Sequence, residues 1–140
     1  GLPISSSLSK FATPGVNIGL FCSTPMVAVS RNISNKHSME MLLAGDLISA
    51  DEAETIGLIN KSIAAPLLKA KTLEIAKKIS KKSALTLKIG KEAFYKQINM
   101  NLSDAYDYAS NVMVENMLKL DAEEGIEAFI NKRKPNWQDK

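Results

Sequence analysis

The most specific pattern in the chain is SNKHSMEMLLAGDLISADEAETIGLINK, which runs from Ser34 to Lys61. It begins as a helix, because Ser34 or Asn35 stands where a helix N-cap is favoured. Gly45 predicts the end of that helix, since glycine readily adopts the left-handed backbone of a C-cap. The apolar side of the helix is expected to be made by Met39, Met41, Leu42 and Leu43.

A second, shorter helix follows in the same stretch. Ser49 and Glu52 have the spacing of a capping box, in which each side chain accepts a backbone N–H of the other residue. Gly57 predicts the end of this helix, and the alternation over residues 58–63 is typical of a strand. The predicted order is therefore helix, glycine, capped helix, glycine and strand.

The segment before this stretch combines strand ends with turns. Residues 4–7 are predicted as the end of a strand, and residues 11–15 as a strand end that enters a Pro–Gly turn. Ser23 or Thr24 is predicted to cap a helix with Pro25 at its first position, where proline's missing N–H is tolerated.

From Pro66 onward the periodicity predicts helices to the end of the chain. Ser83 and Asp121 are predicted as N-caps, and Pro135 as the end of the last helix. Two or three short strands and about seven helices are expected, and a small all-α protein is the alternative that periodicity leaves open. The longest predicted helix has an apolar stripe made by Leu102, Ala105, Tyr106, Ala109, Val112, Met113 and Met117.

The composition limits the kinds of site that the chain can hold. The net charge of +3 comes mainly from lysines, and only Arg31 and Arg133 are arginines. Nucleic-acid surfaces favour clustered arginines, so no nucleic-acid partner is expected. A single cysteine, Cys22, and a single histidine, His37, argue against a disulfide framework and a metal site. No apolar run reaches the ~20 residues of a membrane span.

Together with the tail EGIEAFINKRKPNW, residues 124–137, the opening pattern resembles the enoyl-CoA hydratase/isomerase (crotonase) superfamily. Residues 9–14 are also similar to that family, and residues 11–25 (FATPGVNIGLFCSTP) and 94–97 (FYKQ) are similar to one of its branches. The resemblance covers essentially the whole chain. Because family members are much longer, the chain is expected to be the C-terminal half of their fold, as a fragment or a truncated product.

This resemblance implies an α/β fold of the ClpP/crotonase spiral type, of which only the C-terminal part is present. Residues 1–65 would be the remnant of the ββα core. Residues 66–140 would be a helical region that serves oligomerisation and contact with CoA. The apolar stripe of the longest helix is then either intramolecular core or part of a trimer contact, and trimers in the family can pair into hexamers.

The family's chemistry implies an acyl-CoA thioester as the substrate, with no separate cofactor. Backbone N–H groups in the family's N-terminal half stabilise charge on the thioester oxygen. Hydratases of the family also use two glutamates to position water and move protons. One glutamate lies in that N-terminal half, and the other follows a proline. Here Gly15 follows Pro14, so no catalytic residue is assigned. The nearby polar residues are not equivalent bases: Thr13, Asn17, Cys22 and Ser23.

Phe129 and Lys132 are the predicted CoA-binding residues. Their spacing places them on one helix face. In the resembling family the aromatic and the lysine of the last helix reach the adenine and phosphate end of CoA. An aromatic plate and a cation suit a nucleotide phosphate. The alternative is that Phe129 packs in the core and Lys132 is only solvated.

The other candidate side chains favour structural roles. Cys22 lacks an adjacent histidine and lies in an apolar stretch, which favours a packed thiol over a nucleophile. His37 is expected at the surface or at a helix cap. Glu40, Glu52 and Glu54 are expected on solvated faces or in caps.

Three functions follow from these patterns. The first is an enoyl-CoA hydratase/isomerase-family protein that acts on or binds acyl-CoA thioesters, truncated and impaired in catalysis. The second is a non-catalytic CoA-binding or assembly module, and the third is a helical protein unrelated to CoA. The expected partners are an acyl-CoA and other copies of the chain. The expected compartment is the cytoplasm, or the mitochondrial matrix in a eukaryote.

Overall fold

The computed structural model describes all 140 residues, which form two compact units, Gly1–Ile75 and Ala76–Lys140. The chain has seven α-helices and four short strands. The first part of the chain contains β1 (Ile4–Ser6), β2 (Lys10–Phe11), α1 (Ser23–Ser30), α2 (Asn35–Ala44), β3 (Ile48–Ser49), α3 (Ala50–Thr55) and β4 (Lys61–Ile63). It is followed by α4 (Leu68–Ser80), α5 (Ala84–Gln97), α6 (Leu102–Met117) and α7 (Leu120–Ile130). Two 3-10 turns cover Pro14–Ile18 and Ala65–Leu67.

The predicted α/β class with few short strands is confirmed. The strands form two separate two-stranded sheets, with β1 parallel to β4 and β2 antiparallel to β3. The predicted strand over residues 58–63 is too long, because the backbone N–H groups of Leu58 and Ile59 donate to the carbonyl of Ala53 at the end of α3. Only Lys61–Ile63 pairs as a strand.

The caps predicted in the opening pattern are confirmed. The Ser34 hydroxyl accepts the N–H of His37, and Gly45 ends α2 with a left-handed φ of 66°. Ser49 and Glu52 form the full capping box at the start of α3. The apolar side of α2 is narrower than predicted, because Met39 and Leu43 are exposed; only Met41 and Leu42 of that group are buried.

The core of the first unit lies where α3 meets the strands. Ala50, Ala53 and Ile59 form a buried cluster against Phe11, Ile48 and Leu58. Across the whole chain only seven apolar side chains are buried, and Ala128 is the one that belongs to the second unit. The helices of the second unit therefore leave much apolar surface in solvent.

Two predicted N-caps are wrong. The N-cap of α1 is Cys22, no side chain caps that helix, and Pro25 stands at its third position. In the second unit α7 begins after Lys119, so Asp121 lies inside the helix. The buried carboxylate of Asp121 instead accepts the backbone N–H groups of Gln138 and Asp139.

The last ten residues form a tail that is fastened to the second unit. Asp139 accepts the N–H of Ala84 at 2.7 Å, at the first turn of α5. The indole N–H of Trp137 donates to the carbonyl of Lys81 at 2.8 Å, and its ring lies against Gly125. At the same end of α5, Ser83 caps the helix as predicted and accepts the N–H of Thr86.

The predicted stripe of α6 is only partly packed within the chain. Ala105 and Val112 are half-buried, together with Tyr108 and Asn116 on the same side. The other large apolar members of the stripe are exposed: Leu102, Tyr106, Met113 and Met117. An intramolecular core therefore does not account for the whole stripe.

Candidate functional site

The segment around Gly15 is a closed loop fastened to α2. The buried Thr13 hydroxyl donates to the carbonyl of Met41 at 2.7 Å, and the Asn17 amide donates to the carbonyl of Gly45 at 3.3 Å. The Leu20 N–H donates to the carbonyl of Gly15 at 2.9 Å. These bonds hold the polar groups of the loop in structural roles.

Gly15 has no room for a side chain in this loop. A Cβ built at Gly15 would lie 2.6 Å from the carbonyl oxygen of Leu20 and 2.8 Å from the Sγ of Cys22. The first neighbour is backbone, so it cannot give way by a rotamer change. A carboxylate at this position would require the loop to rearrange.

Cys22 is part of this closure. Its half-buried Sγ accepts the N–H of Gly15 at 3.2 Å. No histidine pairs with the thiol, since the single histidine, His37, lies at the start of α2. The geometry agrees with the packed thiol that the sequence predicted, although the thiol is half-buried rather than enclosed in the core.

His37 and the glutamates behave largely as predicted. His37 and Glu40 line a cleft of about 330 Å³ on α2 and α3. Glu52 accepts the N–H of Ser49, which is the main reason that its pKa lies below the ordinary value. Glu54 is half-buried and does not cap a helix: it accepts the Ser62 N–H at 2.7 Å and pairs with Lys61, and both contacts lower its pKa.

Phe129 stands at the exposed end of α7. The residue is 85% exposed, the highest value among the exposed large apolar residues. The alternative in which Phe129 packs in the core is therefore wrong. Phe129 lines the rim of an open groove of about 590 Å³ in the second unit, whose apolar wall includes Leu87, Met117, Ile126 and Trp137.

Lys132 lies beyond the helix, not on its face. α7 ends at Ile130, and Lys132 has a left-handed φ of 51°. Its N–H donates to the carbonyl of Phe129 at 3.2 Å, and the N–H of Arg133 donates to the carbonyl of Ala128 at 3.0 Å. This is a Schellman cap with lysine where glycine is usual. The cap joins the backbones of Lys132 and Phe129 by a hydrogen bond, although not on the helix face that the sequence suggested.

The Lys132 ammonium makes no hydrogen bond or ion pair with the protein, whereas its neighbour Arg133 pairs with two glutamates. Arg133 binds Glu124 through both carboxylate oxygens, at 2.6 and 2.9 Å, and reaches Glu127 at 3.2 Å. Arg133 is the main reason that the pKa of Glu124 falls to about 2, and the N–H of Asn136 adds to the effect. This network is a feature that the sequence analysis missed.

No helix of the chain has both the length and the apolar character that a membrane crossing requires.

The match to known families covers nearly every residue. Residues 2–140 match the family model of enoyl-CoA hydratase/isomerase. The chain therefore belongs to the enoyl-CoA hydratase/isomerase family, as the sequence pattern predicted.

Among known proteins the chain is similar to the mitochondrial enoyl-CoA hydratase domain-containing protein 3. Identity is 52% to the protein from Mus musculus and 46% to that from Homo sapiens, each over 136 residues. These alignments cover 97% of this chain and 45% of each relative. The chain thus spans less than half the length of these relatives, and the predicted branch is confirmed.

Solved structures show the same relationship. An enoyl-CoA hydratase from Mycobacterium smegmatis superposes with a TM-score of 0.93 at 40% identity. Human enoyl coenzyme A hydratase domain-containing protein 3 superposes with a TM-score of 0.91 at 46% identity. Each match covers 97% of this chain and 53% or 54% of the solved one. The predicted crotonase-type fold, present in part, is confirmed.

Proposed function

We propose that this chain binds acyl-CoA thioesters and that Phe129 and Lys132 hold the nucleotide end of coenzyme A. The observation that carries the proposal is a highly exposed aromatic side chain, Phe129, whose backbone carbonyl is bonded to the N–H of Lys132, a lysine whose ammonium has no partner in the chain. An exposed ring can stack on a purine base, and a free ammonium can neutralise a phosphate. Membership of the family supports an acyl-CoA as the ligand.

Two-glutamate hydration is not part of the proposed role. The residue after Pro14 is a glycine whose Cβ position is occupied by Leu20 and Cys22. The Thr13 hydroxyl is committed to the carbonyl of Met41. The function proposed for the chain is therefore binding of the thioester, with impaired hydratase turnover.

Calorimetric titration of the 140-residue chain with acetyl-CoA tests this proposal. We expect micromolar binding in the wild type. The double variant Phe129→Ala/Lys132→Ala should weaken it by about 10- to 100-fold, because stacking on one base contributes ~1–3 kcal/mol and tenfold corresponds to ~1.4 kcal/mol. Dephospho-CoA, which lacks the 3′-phosphate, should bind the wild type less tightly than CoA.

The matched control is Ile130→Ala/Lys134→Ala. It also removes one exposed apolar side chain and one positive charge from the same end of the chain, since Ile130 is 69% exposed and Lys134 lies two residues past Lys132. We expect its affinity to change less than twofold. A folded wild type that binds no CoA, or a control that loses as much affinity as the test variant, would refute the proposal.

A second candidate function is assembly with other copies of the chain. It is favoured by the exposed apolar residues of α6, of which Leu102 is 75% and Met113 60% exposed. Methionines suit an adaptable buried interface. Light scattering on the titration sample separates the two functions, because a pure assembly module would form oligomers without any CoA-binding heat.

The proposed compartment is the mitochondrial matrix. This rests on the similarity to relatives whose names describe them as mitochondrial.

A further inference from the structure

After α7 come two adjacent cationic residues, of which one is paired with carboxylates and the other has no partner in the protein. Arg133 has the better geometry for binding phosphate, because its guanidinium presents a planar fork of donors. Its fork is nevertheless occupied by Glu124 at 2.6 and 2.9 Å, and one of the same nitrogens also pairs with Glu127. Lys132, the weaker phosphate ligand by geometry, is the cation left without a protein partner.

The backbone of Lys132 needs external support. A non-glycine residue with positive φ is costly and persists only where its surroundings hold it in place. The two backbone bonds of the Schellman cap hold it on the helix side. On the far side Glu124 holds the chain twice, through Arg133 and through the Asn136 N–H at 2.6 Å.

We infer that Glu124 is a positioning residue for coenzyme A binding: with Arg133 it forms a clamp that fixes Lys132 in its left-handed conformation and presents the Lys132 ammonium to a phosphate. The inference rests on the proposed function, since it explains the conformation of Lys132, one of the two residues proposed to bind CoA. It also assigns Arg133 to the clamp and not to the phosphate.

The direction in which Glu124→Gln changes the affinity for CoA distinguishes this clamp from a purely electrostatic effect. Glu124→Gln removes a negative charge near the site and frees Arg133, so Coulomb attraction alone would tighten the binding of anionic CoA. The clamp predicts the opposite, a weakening of about tenfold, which is within the range of coupling in shared networks. The matched control is Glu123→Gln, because Glu123 is an exposed neighbour on α7 with no ion pair. It should change affinity less than twofold.

A double-mutant cycle supplies the second readout. If Glu124 acts through Lys132, Glu124→Gln should cost no further affinity in a Lys132→Ala background, while its effect on melting temperature persists. A purely structural role would give the same loss in both backgrounds. Arg133→Lys, which keeps the charge but loses the fork, should reproduce the loss and serves if Glu124→Gln does not fold.

A measurement on the protein without CoA allows the clamp to be tested independently of the proposed function. The backbone NMR signals of Lys132, its Cα shift and its HN–Hα coupling, report the left-handed conformation. We expect Glu124→Gln to move them and Glu123→Gln to leave them unchanged. Unchanged Lys132 signals, unchanged or tighter CoA binding, or equal losses in the two backgrounds would overturn the clamp, whereas a wild type that binds no CoA overturns the proposed function.

Discussion

The loop at Gly15 and the turn at Lys132 both depart from regular secondary structure. The first leaves no space for a functional side chain, whereas the second leaves two side chains exposed. At Gly15 the surrounding atoms, Leu20 O and Cys22 Sγ, fill the space that a side chain would need. At Lys132 the backbone bends into the left-handed region, leaving the Lys132 ammonium free and the Phe129 ring in solvent. The end where the family's chemistry is expected is closed, and the end proposed to hold the coenzyme is open. The proposed binding role and the absence of the catalytic glutamate can therefore be tested by substitutions at different places in the chain.

The largest expected effect comes from placing a side chain at Gly15, where the loop leaves no room for one. Gly15→Glu should lower the free energy of unfolding by about 1–3 kcal/mol or more, because overpacking of a well-packed site has that cost. It should add no hydratase activity. Urea denaturation gives the change in stability, and a crotonyl-CoA assay gives the activity.

The matched control for this substitution is Gly90→Ala. Gly90 lies in α5, where a Cβ would meet nothing within 4 Å, so alanine should stabilise the helix by roughly 0.5–1 kcal/mol. If Gly15→Glu were as stable as the wild type and turned over crotonyl-CoA, the contrast between the two ends would disappear.

A smaller effect of opposite sign is expected at the open end. Lys132→Gly should raise the free energy of unfolding by up to ~1 kcal/mol, because glycine adopts positive φ without the penalty of a Cβ. The same variant should bind CoA less tightly, since the ammonium is lost. Thermal melts and the titration described above measure the two quantities.

Lys134→Gly is the control for this second substitution. Lys134 has no positive φ, so its replacement by glycine should bring no gain in stability. A Lys132→Gly variant that melts below the wild type would show that the left-handed turn is not strained.

The smallest expected effect is a dependence on acid pH. The pKa of Glu124 is lowered from 4.5 to about 2 in the folded chain, mainly by Arg133. A carboxylate with a depressed folded pKa stabilises the fold above its unfolded pKa, and this contribution is lost as pH falls. The difference in melting temperature between the wild type and Glu124→Gln should therefore shrink between about pH 4.5 and pH 2.

The comparison of the wild type with Glu124→Gln cancels the contributions of the other acidic groups, because both proteins contain them. The pKa of Asp121 is also lowered, by hydrogen bonds from the Ser83 side chain and from the N–H groups of the tail. Asp121 is present in both the wild type and the variant, so it does not affect their difference. A difference that stays constant down to pH 2 would mean that the ion pair with Arg133 does not stabilise the folded state.

Features that depend on neighbours in the sequence were predictable. Ser49 and Glu52 are three residues apart, and Gly45 follows directly on the helix that it ends. Such bonds form within one turn, so the residue types and their spacing determine them. The family and its partial coverage were predictable from a resemblance, that of residues 34–61 and 124–137 to the longer members of the family.

Features that depend on distant groups were not predictable. Asp121 has the composition of a cap, but its carboxylate binds N–H groups seventeen and eighteen residues away. The Cys22 thiol closes over Gly15 because a 3-10 turn brings them together, and no spacing rule indicates this turn. The spacing of Phe129 and Lys132 predicts a shared helix face, because periodicity does not reveal where a Schellman cap without glycine ends the helix.

The fastening of the tail has a spectroscopic consequence. The chain has one tryptophan, Trp137, and its indole N–H is bonded to the carbonyl of Lys81 while its ring lies against Gly125. Its fluorescence therefore reports the attachment of the C-terminal tail to the turn before α5 and to α7. Because the same ring lines the groove beside Phe129, the emission of the unlabelled protein is also a natural sensor of whatever occupies that groove.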